Sequence, residues 1–243
     1  MNLIKEIESK AMTEEKRKEA KNDIFAFYIG RPLSYVLTVP FLKLGIKPNT
    51  ISVLSFIPSI IGFFLISFGN TLNLKLLGWL MFFIWNLLDG VDGNVARYKR
   101  IYSKNGSLLD ATSGYIAMIL SYFAMGIGCY YGKKNGINLN IDKVMYVILG
   151  GISAICVIFP RLVMHKRITS MGEDEETRGV KTKSKYGILK IIALNLTSIS
   201  GFVQVFMLIA IIFNLMEMFT ITYFIINLVI CIVTLIKLLK IGG

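Results

Sequence analysis

Three aspartates and several small residues stand close together in a chain that is otherwise rich in long apolar runs. The aspartates are Asp89, Asp92 and Asp110, within the stretch that ends at Gly114. Charged groups are costly inside a membrane, and where they occur there they usually serve a function. Clustered carboxylates repel one another unless a cation lies between them, and hard oxygen ligands in this number suit Mg²⁺ or Mn²⁺. These residue types therefore indicate metal-assisted chemistry on a phosphorylated ligand.

Helical spacing would gather these residues on two faces. Four of them lie at i, i+3, i+4 and i+7 on the first face: Asp89, Asp92, Gly93 and Ala96. A second face begins at Asp110, with Gly106 one turn before it and Gly114 one turn after it. If the two helices pack antiparallel across the basic loop between them, small residues let their backbones approach, and the three carboxylates converge.

Two other interpretations of the aspartates remain open at this point. They could be solvated at helix ends or paired with the nearby basic residues Arg97, Lys99 and Arg100. They could also form a proton or cation relay, although acids that cluster at one interface fit a relay less well than acids distributed across a membrane.

The composition is that of an integral membrane protein. Hydrophobic residues make up 54% of the 243 residues, and the mean hydropathy is +0.62. The 27 Lys and Arg against 15 Asp and Glu give a net charge of +12, which suggests contact with anionic lipid headgroups or phosphorylated ligands. Nucleic acid is excluded as a partner because the basic residues lie between apolar spans and form no separate domain.

Six apolar runs predict an all-α integral membrane protein with six transmembrane helices. Each run approaches or exceeds the roughly 20 residues that cross about 30 Å of hydrocarbon. The predicted spans are 51–68, 72–88 continuing to about 100, 106–131, 144–164, 188–213 and 218–239. They form a predicted domain over 48–243. Before it, residues 1–23 are predicted to be a charged helix or mobile tail, and residues 24–47 an amphipathic segment on the membrane surface, with a short or kinked span as the alternative.

The distribution of basic residues predicts the orientation. If both termini are cytoplasmic, the outer turns contain only four basic residues: Lys75, Lys133, Lys134 and Lys143. The remaining Lys and Arg then lie almost entirely on the inner side, as the positive-inside rule requires. We therefore expect a multi-pass cell-membrane protein with its aspartates at the cytoplasmic end of the second span.

Other reactive residue types in the chain show no functional spacing. Cys129, Cys156 and Cys231 all lie in apolar segments without CxxC or Cys/His spacing, so we expect them to be buried. The acidic run 173–176 lies in a basic loop and is predicted to be a solvated connector.

The motif as a whole resembles the signature of the CDP-alcohol phosphatidyltransferase family. That signature, Asp-x2-Asp-Gly-x2-Ala-Arg-x8-Gly-x3-Asp, is represented here by Asp89, Asp92, Gly93, Ala96, Arg97, Gly106 and Asp110. The resemblance extends over nearly all of the chain after about residue 25. It implies a membrane enzyme that transfers a phosphoalcohol group from a CDP-linked donor to an acceptor hydroxyl in phospholipid or related lipid biosynthesis, with release of CMP.

The resemblance also implies roles for these positions. The three aspartates would be catalytic and would hold one or two ions of Mg²⁺ or Mn²⁺ against the donor diphosphate. The other motif positions would bind substrate: Gly93 and Ala96 would make room for cytidine, Arg97 would neutralise phosphate or brace the aspartates, and Gly106 completes the set. The resemblance further implies a homodimer that contacts membrane lipids.

The chain departs from the family pattern at Gly114, where a fourth aspartate usually serves as metal ligand and general base. The acceptor could already be ionised, as a phosphate or carboxylate would be. Another group could supply the base, with Ser107, Ser113 and Tyr115 nearby. Otherwise the protein is inactive, by natural loss or by engineering. A non-catalytic protein that binds metal and a CDP-linked ligand, or a transporter, is therefore the alternative function.

Three further basic groups are predicted on the same membrane side: Arg161, His165 and Lys190. We predict that Arg161 helps to bind an acceptor phosphate or carboxylate. Interfacial anchoring is the alternative, because Arg and Lys near helix ends commonly extend toward the membrane surface.

Overall fold

The computed structural model describes residues 3–132, 141–172 and 187–239, and within these ranges the chain forms helices and no strands. In chain order the helices are α1 (Leu3–Ala11), α2 (Glu14–Ala20), α3 (Arg31–Lys43), α4 (Pro48–Phe68), α5 (Leu72–Lys99), α6 (Lys104–Tyr131), α7 (Lys143–Met171), α8 (Ile188–Thr197), α9 (Phe202–Ile212) and α10 (Met216–Leu239). A π-helical turn, Ala26–Gly30, leads into α3. The acidic run 173–176 lies outside the described residues.

Five of the described helices are long and apolar enough to cross a membrane: α4, α5, α6, α7 and α10. The predicted span 188–213 is not one straight helix, because α8 and α9 are bent by 50° at the break between Thr197 and Phe202. A sixth span therefore exists only if this bent pair crosses as one unit. The protein is an all-α, multi-pass membrane protein.

Polar contacts fix the break between α8 and α9. Ser198 Oγ donates a hydrogen bond to Asp23 Oδ2 at 2.7 Å. The Asn195 side chain donates to the Asn22 carbonyl at 2.7 Å and accepts from the Ile24 amide at 2.9 Å. Backbone groups freed where a helix ends need partners in an apolar setting, and side chains at such breaks satisfy some of them. The break thus joins the α8–α9 corner to residues 22–24.

The helix that contacts both motif helices is α4, which packs along α5 and along α6, whereas α5 and α6 contact each other much less. A Cβ at Gly62 of α4 would lie 2.8 Å from the Gly78 carbonyl oxygen of α5, so the two backbones touch there. A Cβ at Gly150 of α7 would lie 2.9 Å from the Tyr122 carbonyl oxygen of α6. The sequence had predicted that small residues let α5 and α6 approach closely. In the structure, close approach through small residues occurs instead mainly between α4 and α5 and between α6 and α7.

Most of the buried apolar residues form one core between the long helices, with Phe82, Trp85 and Met125 among its largest fully buried members. The three cysteines are buried and free, as predicted. A second, smaller core holds α1 and α2 in place: Ile7 and Ala11 pack with Tyr35 of α3 and Tyr98 of α5.

Helix α3 has 13 residues, which is about 20 Å of helix and too short to cross the hydrocarbon alone. It packs against α5 through a polar face that includes the buried Ser34 and Thr38. Its location on the membrane surface stays a prediction.

Candidate functional site

A cavity of about 570 Å³ lies at the C-terminal end of α5, beside the starts of α4 and α6. All seven motif positions line it: Asp89, Asp92, Gly93, Ala96, Arg97, Gly106 and Asp110. Its volume is within the range of small-molecule sites, which is about 300–1,000 Å³. The structure thus brings the two halves of the motif to one cavity.

Local structure at the end of α5 explains how Asp110 returns to this cavity. Arg100 adopts a left-handed conformation with φ 54°, which ends α5. Three residues later, Ser103 caps α6 by accepting a hydrogen bond from the Gly106 amide at 2.9 Å. The short turn and the side-chain cap start α6 next to the end of α5. Asp110, less than two turns into α6, therefore faces the same cavity as Asp89 and Asp92.

Asp92 is the most enclosed of the three carboxylates, with 5% of its surface exposed. Ser52 of α4 donates a hydrogen bond from its hydroxyl to Asp92 Oδ2. A hydrogen bond to an ionised carboxylate is stronger than one between neutral groups and fixes the direction of the oxygen. Ser52 was missed from the sequence, although serines recur on one face of this apolar helix at 52, 55 and 59.

One of the two serines proposed from the sequence as an alternative base, Ser113, does not line the cavity. Ser113 is 1% exposed, accepts a hydrogen bond from Trp85 Nε1 at 2.9 Å and lies 2.7 Å from Ser55 Oγ. Tyr115 is also absent from the cavity lining, and its ring centroid lies 6.4 Å from that of His165. Of the three proposed bases, only Ser107 lines the cavity.

Arg97 is held by a neighbouring amide and not by an aspartate. Its Nη2 donates to Asn94 Oδ1 at 3.2 Å, and Asn94 Nδ2 donates in turn to Ser34 Oγ and Thr38 Oγ1 of α3, both at 3.1 Å. Arg97 Nε is buried without a hydrogen-bond partner. Helix α3 therefore positions Arg97 through Asn94, a role that local spacing did not reveal.

The space beside Gly93 contains this guanidinium group. A Cβ at position 93 would lie 2.8 Å from Arg97 Nη2, so a larger residue would displace Arg97. Gly93 therefore gives Arg97 access to the cavity. The room for a cytidine that the resemblance implied at this position is occupied by the arginine in this conformation.

Gly114 lies in open surroundings on α6. A Cβ there would meet only Met118 Cε within 4 Å, at 3.8 Å, which is ordinary van der Waals contact. The residue is outside the cavity lining. The first carbon of an aspartate side chain would therefore fit at this position without a clash.

Arg161 is not brought together with the aspartates. It lines a separate cavity of about 200 Å³ with Thr197 of α8 and with Asn227 and Thr234 of α10. Its Nη1 donates to the Val157 carbonyl one turn earlier, at 2.5 Å. His165 contacts Tyr115, and Lys190 is exposed on α8. The proposed acceptor role of Arg161 stays a prediction.

The donor set of the cavity suits a divalent cation, although the ligands are not gathered around one point. Within the described ranges, no three His, Cys, Asp or Glu side chains are grouped closely enough to hold a metal ion. In the same part of the chain, neither Asp89, Asp92 nor Asp110 forms an ion pair, so pairing with Arg97, Lys99 or Arg100 is not observed. Three unpaired carboxylates in one cavity offer the hard oxygen ligands that Mg²⁺ and Mn²⁺ prefer, and ligand oxygens would complete the coordination.

The charged groups of this site affect Lys16 of the N-terminal helix α2 electrostatically. Burial, followed by the positive charges of Arg97 and Arg31, lowers the pKa of Lys16 to about 8, while Asp110 and Glu19 act in the opposite direction. Lys16 is half-buried on α2.

Comparison with known proteins agrees with the geometry. A search of curated proteins found no match to this chain. The family model described as CDP-alcohol phosphatidyltransferase matches residues 46–236, which include α4 to α9 and most of α10. This match covers more than half of the chain and contains both halves of the motif that line the cavity. The protein belongs to the CDP-alcohol phosphatidyltransferase family.

Proposed function

We propose that this protein transfers a phosphoalcohol group from a CDP-linked donor to an acceptor, with release of CMP, in phospholipid or related lipid biosynthesis. The observation that carries the proposal is the single cavity into which α5 and α6 place all seven motif residues. The family is a class of transferases that act on CDP-alcohols, which supports the reaction type.

The donor diphosphate would lie between the carboxylates and Arg97. Asp89, Asp92 and Asp110 would hold Mg²⁺ or Mn²⁺, which supplies Lewis-acid polarisation of the phosphoryl oxygens and charge neutralisation when bound. Ser52 would keep one oxygen of Asp92 turned toward α4. The buried Nε of Arg97 has no protein partner, so a phosphate oxygen would satisfy it.

Transfer would follow the usual in-line course of phosphoryl chemistry. An acceptor oxygen forms a bond to the phosphorus that carries the alcohol, and the bond from that phosphorus to the bridging oxygen of CMP breaks. CMP leaves with the bonding electrons. A hydroxyl acceptor would also lose a proton, and Gly114 cannot take it. An acceptor that is already ionised needs no base.

The proposal includes a cytoplasmic site in a cell-membrane protein, since the basic residues are distributed in that way along the sequence. A homodimer and contacts with membrane lipids remain predictions from the resemblance.

The test is CMP release by the purified full chain from a panel of CDP-linked donors and acceptors, with and without a metal chelator. We expect release that the chelator abolishes, and that Asp89→Asn and Asp110→Asn each reduce at least about 100-fold. Asp142→Asn is the control, because Asp142 caps α7 away from the cavity and asparagine caps equally well. A protein that binds neither metal nor a cytidine nucleotide would refute the proposal.

A second candidate function is a non-catalytic protein that binds metal and a CDP-linked ligand, or a transporter. The glycine at position 114 favours it, because the position offers no proton acceptor. It predicts ligand binding or ion flux without CMP release, and the same screen separates the two.

A further inference from the structure

Helix α3 packs against α5 through direct contact at Ser34. A Cβ at Gly90 of α5 would lie 2.8 Å from Ser34 Cβ, so the glycine lets the two helices approach this closely. Asn94, one turn later on α5, donates hydrogen bonds to Ser34 Oγ and Thr38 Oγ1, both at 3.1 Å. These contacts fix which face of α3 is turned toward α5, and they do so from the first turn of α3.

Arg31 begins α3 one turn before Ser34, on the same face of the helix. Ser34 Oγ donates a hydrogen bond to the Arg31 carbonyl at 2.8 Å. The Arg31 amide donates to the Ala26 carbonyl and so closes the π-helical turn that precedes α3. Such turns are rare and are frequent at functional sites. Both backbone groups of Arg31 are therefore bonded, which fixes the point from which its side chain extends.

The Arg31 side chain lines two neighbouring cavities. One is the aspartate cavity, and the other is a smaller cavity of about 110 Å³ that adjoins it at Asp89. Four residues line both cavities: Arg31, Asp89, Gly90 and Arg97. The smaller cavity reaches the break between α8 and α9, where Asn86 Nδ2 donates to the Ser200 carbonyl at 3.3 Å. Arg31 thus lies where the aspartate cavity continues toward this break.

The two arginines of these cavities have no carboxylate partner. Among the described residues, neither Arg31 nor Arg97 forms an ion pair. Arg97 donates to the neutral amide of Asn94, and its buried Nε has no hydrogen-bond partner. Like charges repel, most strongly where water is partly excluded. A fold that opens two unpaired guanidinium groups on one cavity is therefore suited to an anion, and guanidinium groups bind phosphate oxygens in pairs.

We propose that Arg31 binds a phosphate group of the substrate together with Arg97, so that helix α3 supplies part of the substrate site. This inference rests on the proposed function and deepens it. Arg31 precedes residue 46, where the family match begins, so the family motif does not assign it. The competing explanation is that Arg31 only compensates the charge of Asp89, which lines both cavities with it.

The phosphate could belong to the donor diphosphate or to a phosphorylated acceptor. Both present the same oxygens to the two arginines, so separate probes are needed. CDP represents the donor group, and inorganic phosphate, added with CDP already bound, represents the acceptor group. Mg²⁺ without nucleotide is the third probe, because it reports on the aspartates alone.

The experiment measures binding of the three probes, and the unfolding temperature, for the purified full chain and for Arg31→Gln, Arg31→Lys and Lys43→Gln. Lys43 is an exposed cation at the other end of α3 and outside both cavity linings, so its replacement controls for the loss of one charge. We expect Arg31→Gln to weaken binding of CDP or of phosphate about tenfold or more, as the loss of a hydrogen bond between charged groups does. Arg31→Lys should retain part of the affinity, because it keeps the charge without the planar fork.

Each pattern of results has one meaning. Weaker binding of CDP assigns Arg31 to the donor, and weaker binding of phosphate alone assigns it to an acceptor. The inference is refuted if Arg31→Gln binds CDP and phosphate as Lys43→Gln does, and tighter binding of Mg²⁺ in that case supports charge compensation of Asp89. It is also refuted if Arg31→Gln and Arg31→Lys lose affinity equally and both unfold at a lower temperature, since that is a structural effect.

Failure of the proposed function gives a different pattern. Wild-type protein that binds CDP, with weaker binding in Arg31→Gln, but releases no CMP refutes the proposed catalysis and supports the role of Arg31. Wild-type protein that binds neither CDP nor phosphate refutes both.

Discussion

Replacing Ser52 by alanine tests whether Asp92 works as an oriented carboxylate. The change removes the hydroxyl that donates a hydrogen bond to Asp92 Oδ2. Water would not readily replace it, because Ser52 is 3% exposed and Asp92 is 5% exposed. A hydrogen bond to a charged group contributes about 1.5–3 kcal/mol. If Asp92 must be ionised and oriented in the substrate complex, the loss should lower kcat/KM about 10- to 150-fold.

A second serine of α4 supplies the matched control. Ser59 is also buried, and its hydroxyl bonds the Phe56 carbonyl of its own helix at 2.7 Å, so Ser59→Ala removes a local hydrogen bond and none to the site. The assay is CMP release from the best donor of the screen at several Mg²⁺ concentrations, with unfolding temperature measured in parallel.

We expect Ser52→Ala to need more Mg²⁺ for half-maximal rate and Ser59→Ala to behave like the wild type. The reasoning fails if the two variants have the same kcat/KM and the same metal requirement. It also fails if Ser52→Ala loses activity only in proportion to lost folded protein.

Two further substitutions test the surroundings of single glycines. Gly114→Asp should raise the rate of transfer to neutral hydroxyl acceptors by a factor of about 10² to 10⁴, because the aspartate side chain has room and would supply the base. Unchanged rates in the donor and acceptor screen would contradict this. Gly150→Ala should destabilise the detergent-solubilised protein by about 1–3 kcal/mol, because the new Cβ would clash with the Tyr122 carbonyl. Gly151→Ala is the control, since its Cβ would meet only the Phe123 ring, at 3.8 Å, and equal unfolding curves for the two variants would refute the difference.

The family and most of the helices could be predicted from the sequence, because both depend on the pattern of residue types over short stretches of the chain. Apolar runs long enough to span a membrane gave α4, α5, α6, α7 and α10, and helical spacing put Asp89 and Asp92 on one face. The motif itself was recognisable from spacing alone.

The bend between α8 and α9 could not be predicted from the local pattern of residue types. Hydropathy is continuous through residues 188–213, yet the chain bends by 50° because Asn195 and Ser198 find partners at Asn22 and Asp23, more than 170 positions away in the chain. Hydropathy measures transfer into lipid and contains no information about such partners.

The site was likewise only half determined by the sequence. Spacing placed the carboxylates and Arg97 together, but tertiary packing decided that Ser52 holds Asp92 and that Arg161 lies in another cavity. Each of these depends on how helices rotate and approach one another, which is set by side chains distant in sequence. The sequence determined which residues could do chemistry, and the packing of α3 and α4 around them decided which side chains hold them in position.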